Sequence, residues 1–421
     1  MLLSAFSCGP SAGSEPAVGW NWVLQISRKH EVWLLTTDEF ASELKEKLPA
    51  NVRLSVVRSF NLWRRLQRLP IPGLDWLYYY WWQWKAYLVA RGLHAQVGFD
   101  LAHHVTFVSW RAPSFLCLLP VPFIWGPVGG GGTPPRGLWS ELGWTGRLFE
   151  RVRAWLQCVP RWDPTVRLTM KRAALILAAN RETAALLPEI HRPKVRTMLG
   201  IGMSASDAVK GDANNSPKGG LVVLFVGVLR PIKGGVLAIK AFQNLVRLHP
   251  DASLVFVGDG SERPRLVALA KALAIPNCVR FEGWLPREKV QEWIRDADVM
   301  LLPSLRDSGG MALMEAMIAE KPVVCLDLGG PGEIVTTGCG FKVRPGNPEQ
   351  VIADLAEALQ NLAVDQALRR TMGLAGRQRI LEHFDWDRRG ERMMEIYDET
   401  IFKAGSQPRN SDQPRMDTNE R

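Results

Sequence analysis

At 421 residues, with 47% of them apolar, the chain has material for two domains with full cores, and a single domain of that length would be unusually large. Its six cysteines stand singly, with no Cys-x-x-Cys pair and no histidine clustered beside them, so neither a disulfide framework nor a zinc site is indicated and a reducing cytoplasm is the simplest reading. The formal net charge of +10 is concentrated with aromatic residues in the first half, and no nucleic-acid-binding motif accompanies it.

In chain order, strand-like runs fall at Leu2 to Phe6, Val32 to Thr36, Val52 to Val57, Asp100 to Val105, Phe123 to Trp125 and Ala174 to Ala178. Helical stretches alternate with them, which predicts parallel α/β layers. Met1 to Ser7 has neither a basic leader nor a long apolar core, so no secretory signal is expected. The longest uncharged run, Ala112 to Pro135, is broken by Pro113, Pro120, Pro122 and Pro127 and by four consecutive glycines, which rules it out as a spanning helix.

Residues 203–219 are small and polar and read as a linker. A second alternating series follows, with strands at Leu221 to Val226, Ser253 to Val257, Val279 to Phe281, Val299 to Leu302, Val323 to Leu326 and Phe341 to Val343. The helix expected at Gly235 to Leu248 carries Val236, Ile239, Phe242 and Val246 at helical spacing. Residues 405–421 hold Met416 as their only large apolar side chain and read as a disordered tail.

The chemistry concentrates between Pro303 and Pro322. A strand runs into a loop bearing Asp307, Gly309 and Gly310, and a helix starting near Met311 carries Glu315. Parallel sheets bind ligands at the carboxyl ends of their strands, where glycines let backbone N–H groups approach an anion and acids can hold sugar hydroxyls. Gly227 to Gly234 likewise follows a strand and opens a helix, so Lys233 can face a diphosphate, with Arg230 three residues before it. Both segments suit a nucleotide-sugar site.

Other signals are weaker. Ser11 to Gly19, including Gly13, joins the first strand to its helix without matching Gly-x-Gly-x-x-Gly. His103 and His104 are expected at a strand end, where alternation lets one of them enter a cleft; His104 is the favoured one. Gly126 to Gly132 suits close approach to a ligand or a flexible connection, and Gly258-Asp259-Gly260 suits a tight turn. Asp296-Ala-Asp298 precedes its strand and so belongs to the end away from the site, which argues against a metal role.

The block around Asp307 and Glu315 resembles the donor motif of the retaining glycosyltransferases of family four, written Glu-x7-Glu. Asp307 stands at the first acid, Glu315 at the second, and Gly309-Gly310-Met311 where Gly-Phe-Gly is usual; Val228 occupies the position of the family's phosphate-binding arginine. The resemblance implies the GT-B fold: two Rossmann-like domains facing each other across a cleft. These would be an acceptor domain over 1–202 and a donor domain over 220–384, with a helix near 385–403 crossing back onto the first domain. It also implies Glu315 on the nucleotide ribose, Asp307 and His104 near the transferred sugar, Lys233 with Arg230 on the diphosphate, and Gly13 in a loop closing over the donor. Gly309, Gly310 and Met311 complete the implied donor site.

The implied function is metal-independent retaining transfer, without a cofactor, from a nucleotide-sugar donor to a glycan or lipid-linked acceptor in polysaccharide or glycolipid synthesis. A nucleotide-sugar epimerase and a non-catalytic sugar-nucleotide or glycan-binding protein are the alternatives. No nucleic-acid partner is expected. An anionic membrane surface is, because tryptophan, tyrosine and basic residues mix in Trp63 to Arg68, Trp76 to Lys85 and Arg147 to Arg172.

Overall fold

The computed structural model describes residues 1–59, 74–107, 109–205 and 220–406. Two wholly parallel sheets organise them. The first has seven strands in the order β3-β2-β1-β4-β5-β6-β7, and the second six in the order β10-β9-β8-β11-β12-β13. The first contains β1 (Leu2–Ala5), β2 (Val32–Thr37), β3 (Val52–Val57), β4 (Ala102–Thr106), β5 (Phe123–Val128), β6 (Leu175–Ala178) and β7 (Val195–Thr197). The second contains β8 (Val222–Val226), β9 (Ser253–Val257), β10 (Val279–Gly283), β11 (Val299–Leu302), β12 (Val323–Leu326) and β13 (Gly340–Val343).

The central strands β1 and β11 are buried at every position, as expected of parallel strands covered by helices on both faces. The edge strand β10 instead turns Arg280 and Glu282 to solvent, charges that blunt its open edge. All the expected strands form. The short edge strand β7, with Arg196 at its centre, is an addition to them.

Around the first sheet lie α1 (Ser14–Ser27), α2 (Ala41–Lys47), α3 (Leu74–Val97), α4 (Gly143–Leu156), α5 (Pro164–Arg172) and α6 (Arg181–Leu186). The second sheet carries α7 (Gly235–Val246), α8 (Arg263–Ala272), α9 (Arg287–Asp296), α10 (Met311–Ile318), α11 (Gly329–Ile334), α12 (Pro348–Val364) and α13 (Gln366–His383). The architecture is therefore two Rossmann-like α/β domains.

The final helix, α14 (Trp386–Ser406), packs on the first domain. Trp386, Met393, Met394, Ile396 and Tyr397 are buried in one cluster with Leu3, Trp22 and Leu34. The Trp22 and Trp386 rings meet edge to face at 5.3 Å, and Gln25 Nε2 donates to Asp387 Oδ1 over 3.0 Å. The chain enters α14 through a short parallel bridge, in which Met203 N–H donates to Phe384 O and Trp386 N–H donates to Met203 O.

Most of α3 serves the core. Tyr78, Tyr79 and Trp82 are buried, and Trp76 lies half-buried under the Arg111 guanidinium at 5.1 Å. Trp76 to Lys85 is therefore chiefly packing surface, with Leu77, Trp84 and Lys85 left exposed. Trp63 to Arg68, most of the expected linker and nearly all of the expected tail lie outside the described residues.

Candidate functional site

Three loops at the carboxyl edge of the second sheet interlock. Between β8 and α7, a tight turn at Pro231–Lys233 ends in Gly234, whose φ of 76° is left-handed; a Cβ there would lie 2.0 Å from Pro303 O. Leu305 N–H, in the loop after β11, donates to Ile232 O at 2.8 Å. Gly330 N–H, opening α11, donates to Asp307 O at 2.8 Å. Only glycine permits the first of these approaches, so the close packing of the loops is written locally into the sequence.

This packing brings Lys233 Nζ to 2.6 Å from Asp307 Oδ2, and both side chains are largely buried. The other carboxylate oxygen accepts from Gly309 N–H at 3.1 Å. Gly310, with a φ of 89°, then starts α10, and an added Cβ would press on Ile334 Cδ1 at 3.0 Å. The helix N-terminus thus opens beside the charged pair, an arrangement suited to an anionic ligand. Met311 stands exposed on the first turn of α10, and Glu315 is half-buried one turn further along. Arg230 is exposed beside the turn that carries Lys233.

The first domain closes on this edge through charged contacts. Arg181 Nε meets Glu333 Oε1 at 2.7 Å, and Gly329 N–H donates to Glu182 Oε1 at 2.7 Å. Lys240 Nζ reaches Glu141 Oε2 at 2.8 Å. Arg306, immediately before Asp307, points its Nη2 at Glu150 Oε1 on α4, 3.0 Å away. On the same helix, Arg153 donates to the carbonyls of Gly130 and Gly132 at 2.6 and 2.8 Å, so the glycine-rich loop after β5 is held as a bound shelf instead of a loose connector.

Positive charge accumulates here. Burial lowers the Arg306 pKa, with Glu150 opposing the shift and Arg230 adding to it. Burial and then the repulsion of Arg306 take Arg153 down to about 10. Arg111 is lowered by burial and by Arg306 as well. Like charges held this close favour an anion between them. Arg306, Arg153, Glu150 and Glu182 were not singled out from sequence; the one hint was a lone acid, Glu150, in the first helix of the basic stretch Arg147 to Arg172.

One sequence expectation is corrected. His104 does not enter the cleft: it is fully buried, its Nε2 contacting Tyr79 Oη at 2.9 Å and Gln83 Nε2 at 3.1 Å, its Nδ1 contacting Ser4 Oγ at 2.9 Å. His103, on the opposite face of β4, is equally buried, between Tyr397 Oη at 2.6 Å and Gly126 O at 2.7 Å. The reason is that helices seal both faces of β4: Tyr79 and Gln83 of α3 lie over His104, and Tyr397 of α14 lies over His103. Since Gly126 O can only accept, His103 Nε2 carries the proton and Nδ1 accepts from Tyr397. Gly13, exposed just before α1, has a φ of −88° and open space where a Cβ would stand.

Asp259 closes its turn by accepting from Gly260 N–H at 2.7 Å and pairing with Arg263 at 2.8 Å. Asp298 Oδ2 accepts from Val222 N–H at 2.8 Å before β11, at the opposite end of the strand from Asp307.

Residues 209–379 match the family described as glycosyl transferases group 1. Over 176 residues the chain is 31% identical to the glycogen synthase of Mycobacterium tuberculosis, a stretch covering 42% of each protein. It is 32% identical over 189 residues to the D-inositol 3-phosphate glycosyltransferase of Kribbella flavida, covering 42% of this chain and 43% of that one. The matches thus span about two-fifths of the curated relatives. The crystal structure of Anabaena HepE in complex with UDP and glucose shares the fold across 94% of this chain and 99% of its own, with a TM-score of 0.63 and 17% identity. Residues 209–379 are thus similar to the glycosyl transferases group 1 family, and the two Rossmann-like domains share the GT-B fold.

Proposed function

We propose that this protein is a retaining, metal-independent glycosyltransferase that moves a sugar from a nucleotide-sugar donor to a hydroxyl of a glycan or lipid-linked acceptor. The observation carrying this reading is the Lys233–Asp307 pair at 2.6 Å, set beside the N-terminus of α10 on the edge facing the first domain. Lys233, Arg230 and the helix N-terminus supply positive charge for a departing diphosphate, the place where negative charge grows during transfer. Asp307 and Glu315 supply acceptors for donor hydroxyls, Asp307 on the sugar and Glu315 on the ribose. Gly309, Gly310 and Met311 line the approach, and Gly13, in the loop before α1, is assigned to the donor's other side.

With His103 and His104 both inside the core, the reading needs no histidine. The leaving diphosphate oxygen takes the acceptor proton as the new bond forms on the face that it vacates: the donor C–O bond breaks, the acceptor O–C bond forms, and the nucleoside diphosphate departs with the proton. The UDP and glucose bound by HepE, and the sugar-transferring names of the curated relatives, support the donor class. The shared stretch lies in the second domain, so acceptor choice belongs to the first.

The test is a panel of nucleotide sugars offered with soluble glycans and with polyprenyl- or glycerolipid-linked acceptors, and the product's anomeric configuration read by NMR. Formation of a glycoside with the donor's configuration is expected. Donor turnover without an acceptor would favour an epimerase, and donor binding without turnover would favour a sugar-nucleotide-binding protein.

A further inference from the structure

The outer face of α4 and the turn after it is unusual for a surface. Trp144, Leu148, Val152, Trp155, Val159 and Trp162 follow one another at three- and four-residue spacing, and all are exposed, with Trp144 at 73%, Trp155 at 69% and Trp162 at 80%. Phe149, 62% exposed, widens the stripe on one side. A contiguous apolar face of this kind marks an interaction surface.

Charge identifies what covers it. Arg147, Arg151 and Arg161 are exposed along the stripe, and Arg167, Lys171 and Arg172 extend the basic margin through α5. The two acids of the segment are both withdrawn. Glu150 is buried against Arg306, and Asp163 caps α5, accepting from Thr165 N–H at 2.8 Å and from Tyr80 Oη–H at 2.7 Å. Every exposed charge from Gly143 to Arg172 is therefore positive.

The geometry points to this face as a docking site for an anionic lipid bilayer, with the tryptophans among the headgroups and the arginines against lipid phosphate. Indole rings favour that boundary, and a helix with one apolar and one basic side lies in the membrane plane. No helix among the described residues is long and apolar enough to cross a membrane, so attachment through them would be peripheral. The opposite side of α4 carries Glu150 and Arg153, which hold Arg306 and the glycine-rich loop; docking would set the space between the domains beside the lipid surface.

Co-sedimentation of the full chain with phosphatidylcholine vesicles, with and without phosphatidylglycerol, tests this. It needs no donor, so failure here leaves the transferase reading untouched. The protein should bind the anionic vesicles preferentially, and Trp144→Ser/Trp155→Ser/Trp162→Ser should weaken partition at least ~10-fold with an unchanged melting temperature. Arg147→Ser/Arg151→Ser should weaken it at low salt, and added salt should erase that difference. Trp284→Ser, an exposed tryptophan of the second domain at 67%, is the control and should bind as the parent does. The single change Trp162→Ser provides the same reading should the triple variant fold poorly. Undiminished binding by the tryptophan variants, or equal binding to neutral vesicles, overturns the proposal. So does a lipid-free dimer that the same substitutions convert to monomer, because a second copy would then be the occupant.

Discussion

Arg306 and Glu150 face each other across the domain boundary at 3.0 Å, the glutamate carboxylate all but completely buried and the guanidinium 16% exposed. No well-aligned hydrogen bond reaches either oxygen of Glu150; the attraction is coulombic, from Arg306 and from Arg153 at 4.0 Å. This places a buried acid between two arginines next to the loop that carries Asp307.

Removing that acid should be costly. Glu150→Gln leaves Arg306 and Arg153 close together without a counter-charge, and a loss of about 3 kcal/mol is expected on urea unfolding. Adding Arg306→Met should recover much of the loss, since the stranded charge is then gone. Additive losses in the double variant would show that the two residues are not coupled.

Lys233→Ala should lower kcat at least ~100-fold while leaving the fold intact, because it removes charge placed for the departing diphosphate and leaves Asp307 unpaired. Circular dichroism and single-turnover rates on the best donor of the panel check both halves. A variant that turns over at the parental rate would move the diphosphate elsewhere.

Transfer is expected to survive a chelator. The Asp296–Asp298 pair lies at the amino end of β11, with Asp298 engaged by Val222 N–H and Asp296 3.3 Å from Arg295. Rates before and after dialysis against EDTA should agree within about two-fold, because charge stabilisation is assigned to protein cations. Activity restored only by added manganese or magnesium would contradict this.

Acid should destabilise the first domain through its paired histidines. Burial pushes His103 down to about 4 and His104 down to about 3, the second helped by the first, so both are neutral in the native state. Unfolded imidazoles titrate near pH ~6.5, so the stability held above that pH is lost as pH falls toward the folded values, by up to about 1.4 kcal/mol per pH unit for each ring. Urea midpoints measured from neutral pH down to about 5 should fall more steeply for the parent than for His104→Asn, which lacks one of the two titrating groups. Identical slopes would mean that His104 titrates at the same pH in the folded and unfolded chain.

Much of this molecule is readable in its sequence because parallel strands are short apolar runs that end in glycine turns. β8, β11 and β12 show this plainly, whereas β7 has three residues with an arginine in the middle and carries too little apolar signal. Lys233 and Asp307 were legible because each follows its strand directly. The Arg306–Glu150 contact joins two domains, and no local pattern announces a partner so far away in the chain. His103 and His104 misled because what covers them, Tyr79 and Gln83 of α3 and Tyr397 of α14, comes from elsewhere in the chain. For α3, mixed aromatic and basic residues suggested a membrane surface where the rings chiefly pack in the core, while the exposed tryptophans of α4 emerge only once its buried face is known.

The packing of α14 on the first domain has a consequence for how the protein is made. Tyr397 closes over His103, and Trp386 over Trp22, so the earliest strands have no lid until the last helix arrives. During synthesis the second domain can finish folding while the first still exposes the apolar surface that Met393, Met394 and Ile396 will cover. A ribosome-bound chain stopped before Trp386 should therefore bind hydrophobic-surface dyes and chaperones and be cut readily by protease in its first half. A chain released after α14 should resist all three.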